Sequence, residues 1–128
     1  MEKSRFKGKL AAKERSCDYS LHRVSRFIQP SILLFLSKSV SYGYELVEKL
    51  KDFGFYKELD AGAVYRTLRI LEKDGFVKSF WEKGKTKKPK RYYKITRQGR
   101  TLLRLWTQRI EERKQALEKF LVLYNGKD

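Results

Sequence analysis

The chain has 128 residues, 41% hydrophobic and 14% aromatic, which suits one small domain with an appended element and argues against wholesale disorder. Its 31 lysines and arginines against 15 aspartates and glutamates give a formal net charge of +16, and the self-repulsion of such a surplus favours a polyanionic partner, nucleic acid or an anionic membrane. The clustering of this charge favours nucleic acid over a basic surface that is merely solvated. One cysteine, Cys17, and one histidine, His22, exclude an intramolecular disulfide and a Cys/His zinc site within one chain, so we expect no metal and no cofactor.

The sequence predicts a protein that neither spans nor binds a membrane. Its longest nearly apolar run, Ile28 to Leu36, is far too short to cross a bilayer. The basic N-terminus lacks the apolar segment of a signal peptide, so we expect a cytoplasmic, prokaryotic location.

Residues 1–27 are polar and basic and show no clear apolar period. We interpret them as an arm that is mobile at first and helical near its end. Two interpretations stay open: a solvated tail, or an arm that reaches DNA phosphates or a partner subunit.

Two short helices are predicted next. Pro30 suits the first turn of a helix, where its missing N–H costs nothing, and this helix should end near Ser39. Ser41 is predicted to cap a second helix that runs to Lys51, with Glu45 near its positive end.

A third helix is predicted from Ala61 to Lys73, with Asp60 as its N-cap and Gly75 as its stop. Its apolar positions recur every three or four residues and define a buried face: Val64, Leu68 and Leu71. Arginines lie largely on the other side of this helix.

A hairpin with a basic tip follows. Residues 76–81 and 91–95 have strand composition, and the segment from Lys83 to Arg91 holds six basic residues and no acid. Because a solvated turn does not need charge of one sign only, we interpret this tip as a phosphate-binding element.

The segment from Thr96 to Tyr124 is predicted to be one long helix of about 40 Å. A heptad seam runs along it: Leu103, Trp106, Ile110, Arg113, Leu117, Phe120 and Tyr124. The helix outreaches a domain of this size, so either it folds back over its own core or a second copy covers the seam. We expect the proximal half to pack on the core and the distal half to form a homodimer interface.

The order of elements predicts a mainly α (α+β) fold, a winged helix-turn-helix with a long C-terminal dimerisation helix. Residues 1–27 would be the arm, 28–96 the DNA-binding domain and 97–124 the dimerisation helix. In this fold the third helix enters the major groove and the hairpin lies along the backbone.

Small residues let such a helix approach the groove, where arginines can hydrogen-bond to guanine. The backbone amides at a helix N-terminus bind phosphates, and lysines neutralise the phosphate charge. The candidate DNA-binding residues are therefore Ser41, Tyr42, Gly62, Ala63, Tyr65, Arg66, Arg69, Lys85, Lys87, Lys88, Lys90 and Arg91. For Tyr65 burial of the ring is equally compatible with its position, and Arg91 could instead brace the hairpin.

Four segments resemble the PadR family of bacterial transcriptional regulators in order and spacing: residues 41–46 (SYGYEL), 62–68 (GAVYRTL), 71–77 (LEKDGFV) and 91–99 (RYYKITRQG). The resemblance covers roughly residues 28–124 and is closest to the short subfamily with one C-terminal helix. It implies a dimeric regulator, in most members a repressor, released in many by a small molecule. The arm and the segment before Pro30 are similar to regulators that respond to polyhydroxybutyrate.

In such proteins a cavity between subunits takes flat, apolar ligands, so Trp106 is either a candidate effector contact or an interface packing residue. The alternative function is a non-specific, architectural nucleic-acid-binding protein, whose affinity would be nearly blind to sequence. An enzyme is poorly supported, since His22 lies in the arm, the acidic residues are scattered and no phosphate-binding glycine loop is present.

Overall fold

The computed structural model describes residues 16–53, 59–82, 84 and 87–126, with side chains from Phe27 onward. Its helices are α1 (Ser16–Lys38), α2 (Gly43–Lys51), α3 (Ala61–Lys73) and α4 (Arg97–Tyr124). Its strands are β1 (Ser41–Tyr42), β2 (Val77–Trp81) and β3 (Arg91–Ile95). This order of elements confirms the predicted winged helix with its long C-terminal helix.

α1 includes the end of the basic arm, which was expected to be helical, and continues without a break into the first predicted helix. It is a single helix of 23 residues with Pro30 in its interior, so the prediction that Pro30 occupies a first turn is wrong. An interior proline removes one helical hydrogen bond, a loss that burial of an apolar stripe can outweigh. That stripe is present here, because Ile28, Ile32 and Leu33 are almost completely buried.

The start of α2 also differs from the prediction. Ser41 is not a helix cap: it lies in β1, opposite Tyr93, and its fully buried hydroxyl accepts a hydrogen bond from Lys49 Nζ at 2.9 Å. Tyr42 is the N-cap residue, and its backbone N–H donates to Glu45 Oε1 at 3.4 Å. The expected place of Glu45 at the positive helix end is therefore confirmed.

Both predicted ends of α3 are confirmed. Asp60 Oδ1 accepts a hydrogen bond from the backbone N–H of Gly62 at 3.0 Å, which satisfies one of the free donors of the first turn. Gly75 follows the C-cap residue with a φ of +83°, the left-handed conformation that glycine adopts without strain.

The three strands form an antiparallel sheet in the order β1-β3-β2. One face of this sheet closes the core through Val77, Tyr93 and Ile95. The core also holds buried apolar residues of α1, α2 and α3: Ile28, Ile32, Leu33, Leu36, Leu46, Val47, Leu50, Val64, Leu68 and Leu71. Burial of this single core is the main stabilising contribution in a domain of this size.

α4 joins the domain through its first turns. Thr96 caps it by accepting a hydrogen bond from the N–H of Gly99 at 3.0 Å, as predicted. Gly99 is buried, and a Cβ at that position would meet the backbone carbonyl of Phe76 and come within 2.7 Å of Ile95 Cγ1. Only glycine therefore allows this close approach of α4 to the sheet.

Candidate nucleic-acid interface

The face of α3 opposite the core is open to solvent and basic. Arg66, Arg69 and Lys73 are all exposed there. In the first turn Gly62 is half-buried, and Ala63 is partly buried and packs against the core. The Arg66 side chain is 61% exposed, and its Nη2 lies 3.8 Å from Asp60 Oδ2. Because an ion pair this exposed contributes little stability, the Arg66 guanidinium can leave the Asp60 carboxylate and bind a ligand instead.

Tyr65 packs against the first residue of α2. Gly43 is buried, and a Cβ at Gly43 would come within 3.0 Å of the Tyr65 ring carbon Cζ and hydroxyl oxygen. The ring therefore holds the beginnings of α2 and α3 together, although Tyr65 remains 38% exposed. Both roles predicted for Tyr65 are compatible with this placement.

The wing, defined as β2, β3 and the segment between them, places more lysines at the surface. Lys87, Lys88 and Lys90 are exposed, whereas Lys85 lies outside the described residues. At the base of the turn the N–H of Glu82 donates to the Lys90 carbonyl at 2.8 Å, and the N–H of Lys90 donates to Glu82 Oε1 at 3.2 Å. These bonds keep the two strands paired up to the basic tip.

Arg91 connects the wing to α3. Its Nη2 donates to Glu72 Oε1 at 3.3 Å and its Nε donates to Ser79 Oγ at 3.1 Å. The Ser79 hydroxyl in turn donates to Glu72 Oε2 at 2.6 Å. The guanidinium also lies 5.8 Å from the ring centroids of Trp81 and Tyr93. This geometry favours the bracing interpretation of Arg91.

Burial of Tyr93 has an electrostatic consequence beside this network. The pKa of its phenol is raised above 10.0, chiefly because burial disfavours the charged phenolate. Tyr93 is therefore neutral at physiological pH, and a neutral phenol does not repel the neighbouring Glu72 carboxylate.

Two of the predicted DNA-binding residues have other neighbours. Ser41 is completely buried and bonded to Lys49, so its hydroxyl is not at the surface. Tyr42 lies on the outer side of the sheet, where its ring meets the Tyr92 ring at 5.4 Å.

The sequence analysis missed Glu72, Ser79 and Lys49. Each of them acts through partners 7 to 19 residues away along the chain, where helix and strand periodicity give no signal.

The predicted heptad seam of α4 divides into two parts. Leu103 and Trp106 pack against the core, and the indole N–H of Trp106 donates to Gln29 Oε1 at 3.0 Å. Beyond Ile110 the seam residues of the single chain are exposed: Arg113, Leu117 (57%), Phe120 (64%) and Tyr124 (79%). A large apolar surface therefore extends past the domain.

Among the described residues no group of three or more His, Cys, Asp or Glu side chains could hold a metal ion. Within the same part of the chain no helix has the length and apolarity needed to span a bilayer.

α2 ends at Lys51, the exposed arginine-bearing α3 begins at Ala61, and a lysine-tipped wing follows α3. These features together define a winged-helix DNA-binding protein. The sequence profile described as "Transcriptional regulator PadR-like family" matches residues 32–105, more than half of the chain. The chain therefore belongs to the PadR-like family of transcriptional regulators.

Solved structures agree with this family. A PadR family transcription regulator from Clostridium difficile R20291 is 25% identical, covers 74% of this chain and 98% of its own, and has a TM-score of 0.67. A conserved protein of unknown function, described as a potential transcriptional factor, is 32% identical over 77% of this chain and 88% of its own, with a TM-score of 0.68.

The PadR of Bacillus subtilis, solved in complex with operator DNA, is 26% identical over 63% of this chain and 46% of its own, with a TM-score of 0.57. Among curated proteins no match was found.

Proposed function

We propose that this protein binds a roughly palindromic operator as a homodimer and represses transcription. The observation that carries the proposal is the exposed basic face of α3, with Arg66 and Arg69, followed by the lysine-tipped wing. The solved complex of the Bacillus subtilis PadR with operator DNA supports it as a related case. Such a regulator would work in the cytoplasm, where prokaryotic DNA lies.

In this proposal α3 lies in the major groove. Gly62 and Ala63 let its first turn approach the groove floor, and Arg66, one turn later, reaches a guanine edge with two parallel hydrogen bonds. The lysines of the wing then contact phosphates without reading sequence, as Lys85, Lys87, Lys88 and Lys90 were predicted to do. Arg91 holds the wing at a fixed distance from α3.

The homodimer follows from the exposed distal part of α4. Leu117, Phe120 and Tyr124 are each more than half exposed in the single chain. Contiguous apolar surface of this kind marks an interface, and a symmetric pair is the commonest way to cover it. A twofold axis through α4 would present α3 twice, which is the geometry that a palindromic operator requires.

A planar, apolar effector that binds beside Trp106 would release the protein from DNA. Trp106 is partly buried and its N–H is bonded to Gln29, so an effector would stack on the remaining face of the ring. The likeness of the N-terminal segment to polyhydroxybutyrate-responsive regulators remains a prediction.

Selection of binding sites from random DNA with the purified protein tests the proposal directly. We expect an enriched palindrome, bound at least a thousandfold more tightly than a scrambled duplex at the same moderate salt. Nearly equal affinity for both duplexes would instead establish the architectural alternative. A reporter gene placed behind the selected site then distinguishes repression from activation.

A further inference from the structure

The outer face of the sheet, turned away from the core, carries a row of aromatic side chains. Strand register sets Phe80 opposite Tyr92 and Tyr92 opposite Tyr42, so that each strand contributes one ring. The ring centroids of Tyr42 and Tyr92 are 5.4 Å apart, and those of Phe80 and Tyr92 are 5.8 Å apart with an interplanar angle of 18°. Phe80 is 44% exposed, and the two tyrosines are partly exposed.

Lysines flank this row on both sides. Lys78 lies directly opposite Lys94, and each is two residues from an aromatic of the row, so all four side chains share one face. On the other side of the row Lys90 Nζ lies 4.8 Å from the centroid of the Tyr42 ring. The aromatic row on the outer face of the sheet therefore has lysine side chains on both of its sides.

Folding alone does not account for this arrangement. Like charges directly opposite each other on neighbouring strands are destabilising, and Lys78 and Lys94 are such a pair. The stack of Phe80 on Tyr92 stabilises the sheet, but 44% of the Phe80 side chain stays exposed to a further partner. Both features are explained if the face binds an anionic partner that has flat apolar groups.

We propose that this outer sheet face binds single-stranded nucleic acid, with bases stacked on Phe80 and Tyr92 and phosphates neutralised by Lys78, Lys94 and Lys90. Aromatic side chains on a sheet surface stack on unpaired bases, and neighbouring cations follow the backbone. A duplex hides the faces of its bases, so the row fits an unpaired strand. This activity does not depend on α3, and it shares Lys90 with the wing lysines that are proposed to contact operator phosphates.

The first experiment titrates the full-length protein against a fluorescein-labelled oligothymidylate and follows anisotropy. Loss of stacking in Phe80→Ala should weaken binding by about 5- to 150-fold. The control is Trp81→Ala, which removes the next residue, an exposed aromatic on the opposite face of the same strand. An affinity of Phe80→Ala equal to that of the unmodified protein, or an equal loss in both variants, overturns the proposal.

A second variant keeps the proposal testable even if Phe80→Ala folds poorly. The double change Lys78→Gln and Lys94→Gln removes two surface cations and should lower the salt dependence of oligothymidylate binding by about 1.4 in the log–log slope. An unchanged slope would mean that these lysines do not meet the strand, and the proposal would fail.

Two further probes separate this site from the proposed function and from a protein partner. A duplex that carries the selected operator should bind Phe80→Ala as tightly as the unmodified protein. If the protein selects no operator but still binds oligothymidylate through Phe80, the proposed function is overturned and the single-strand proposal stands. Phe80-dependent binding of an acidic Glu/Tyr copolymer, with no binding of oligothymidylate, would overturn the single-strand proposal in favour of a protein ligand.

Discussion

The carboxylate of Glu72 accepts a hydrogen bond from the guanidinium of Arg91 at 3.3 Å, and this contact joins the last turns of α3 to the first residue of β3. Its other oxygen accepts from Ser79 in β2. The arginine-bearing face of α3 and the lysine tip of the wing are thereby fixed in relation to each other. In the proposed complex this contact sets how far apart the base-reading and phosphate-binding groups lie.

Glu72→Gln should loosen this connection. The pair is partly exposed, so we expect the free energy of unfolding to fall by no more than about 1 kcal/mol. Operator affinity should fall as well, because the wing is no longer held against α3. The control is Glu48→Gln, which breaks the exposed Lys51–Glu48 pair of α2. Equal effects of the two changes on operator affinity would show that the connection has no role in DNA binding.

Arg66→Ala should weaken operator binding by about 1–3 kcal/mol for each half-site and relax the preference for one base, because a bidentate contact to guanine is lost in each half-site. Arg109→Ala, which removes an equal charge from the exposed surface of α4, serves as the control. The measurement is anisotropy with the selected operator and its single-base variants. A uniform loss on every sequence would mean that Arg66 touches phosphate alone.

Lys87→Ala combined with Lys88→Ala should reduce the log–log salt slope of operator binding by about two for each bound protomer, and so by about four for the proposed dimer, with base preference unchanged. Both lysines are exposed at the wing tip, so their replacement should leave the core intact. Binding is measured over a series of salt concentrations, beside Arg100→Ala combined with Arg109→Ala. A slope equal to that of the unmodified protein would place the wing clear of the DNA.

Leu117→Glu should convert the proposed dimer into monomers, because a carboxylate would be buried in an apolar interface. Leu105→Glu is the matched control: Leu105 is 52% exposed against 57% for Leu117, and the two lie about 120° apart around α4. Sedimentation measures the mass of both variants. A dimer that survives Leu117→Glu, or is lost equally in both, would falsify this interface.

Tyr93 should make stability depend on pH above neutrality. The raised pKa means that the folded protein prefers the neutral phenol, so this contribution is complete below pH 10.0 and is lost as pH rises through the higher folded-state pKa. Urea unfolding of Tyr93→Phe should therefore fall off less steeply in that alkaline range than unfolding of the unmodified protein. Parallel curves would assign the alkaline loss to other groups.

Sequence signals predicted the parts of the fold that are set locally. Asp60, the apolar spacing through Leu71 and the glycine at position 75 fixed both ends and the buried face of α3. Thr96 likewise marked the start of α4. These signals act within one or two turns of helix, so they are readable without tertiary structure.

The missed features depend on contacts between distant segments. β1 has two residues, too few for any alternation, and forms only because it pairs with β3. Pro30 marks a helix start by local rules, yet packing of α1 against the core keeps the helix continuous through it. Of the candidate site, the surface arginines and lysines were predictable from charge and spacing. The Glu72–Arg91 contact spans 19 positions and was not.

The tight contact at Gly99 leaves no slack between the long helix and the base of the wing. The N–H of Thr96 donates to the Phe76 carbonyl at 3.1 Å, and the Thr96 hydroxyl donates to the Gly75 carbonyl at 2.8 Å. A tilt of α4 must therefore displace the end of α3 and the beginning of β2 with it. In the proposed dimer, a change in the angle at which the two α4 helices cross would therefore change the distance between the two α3 helices.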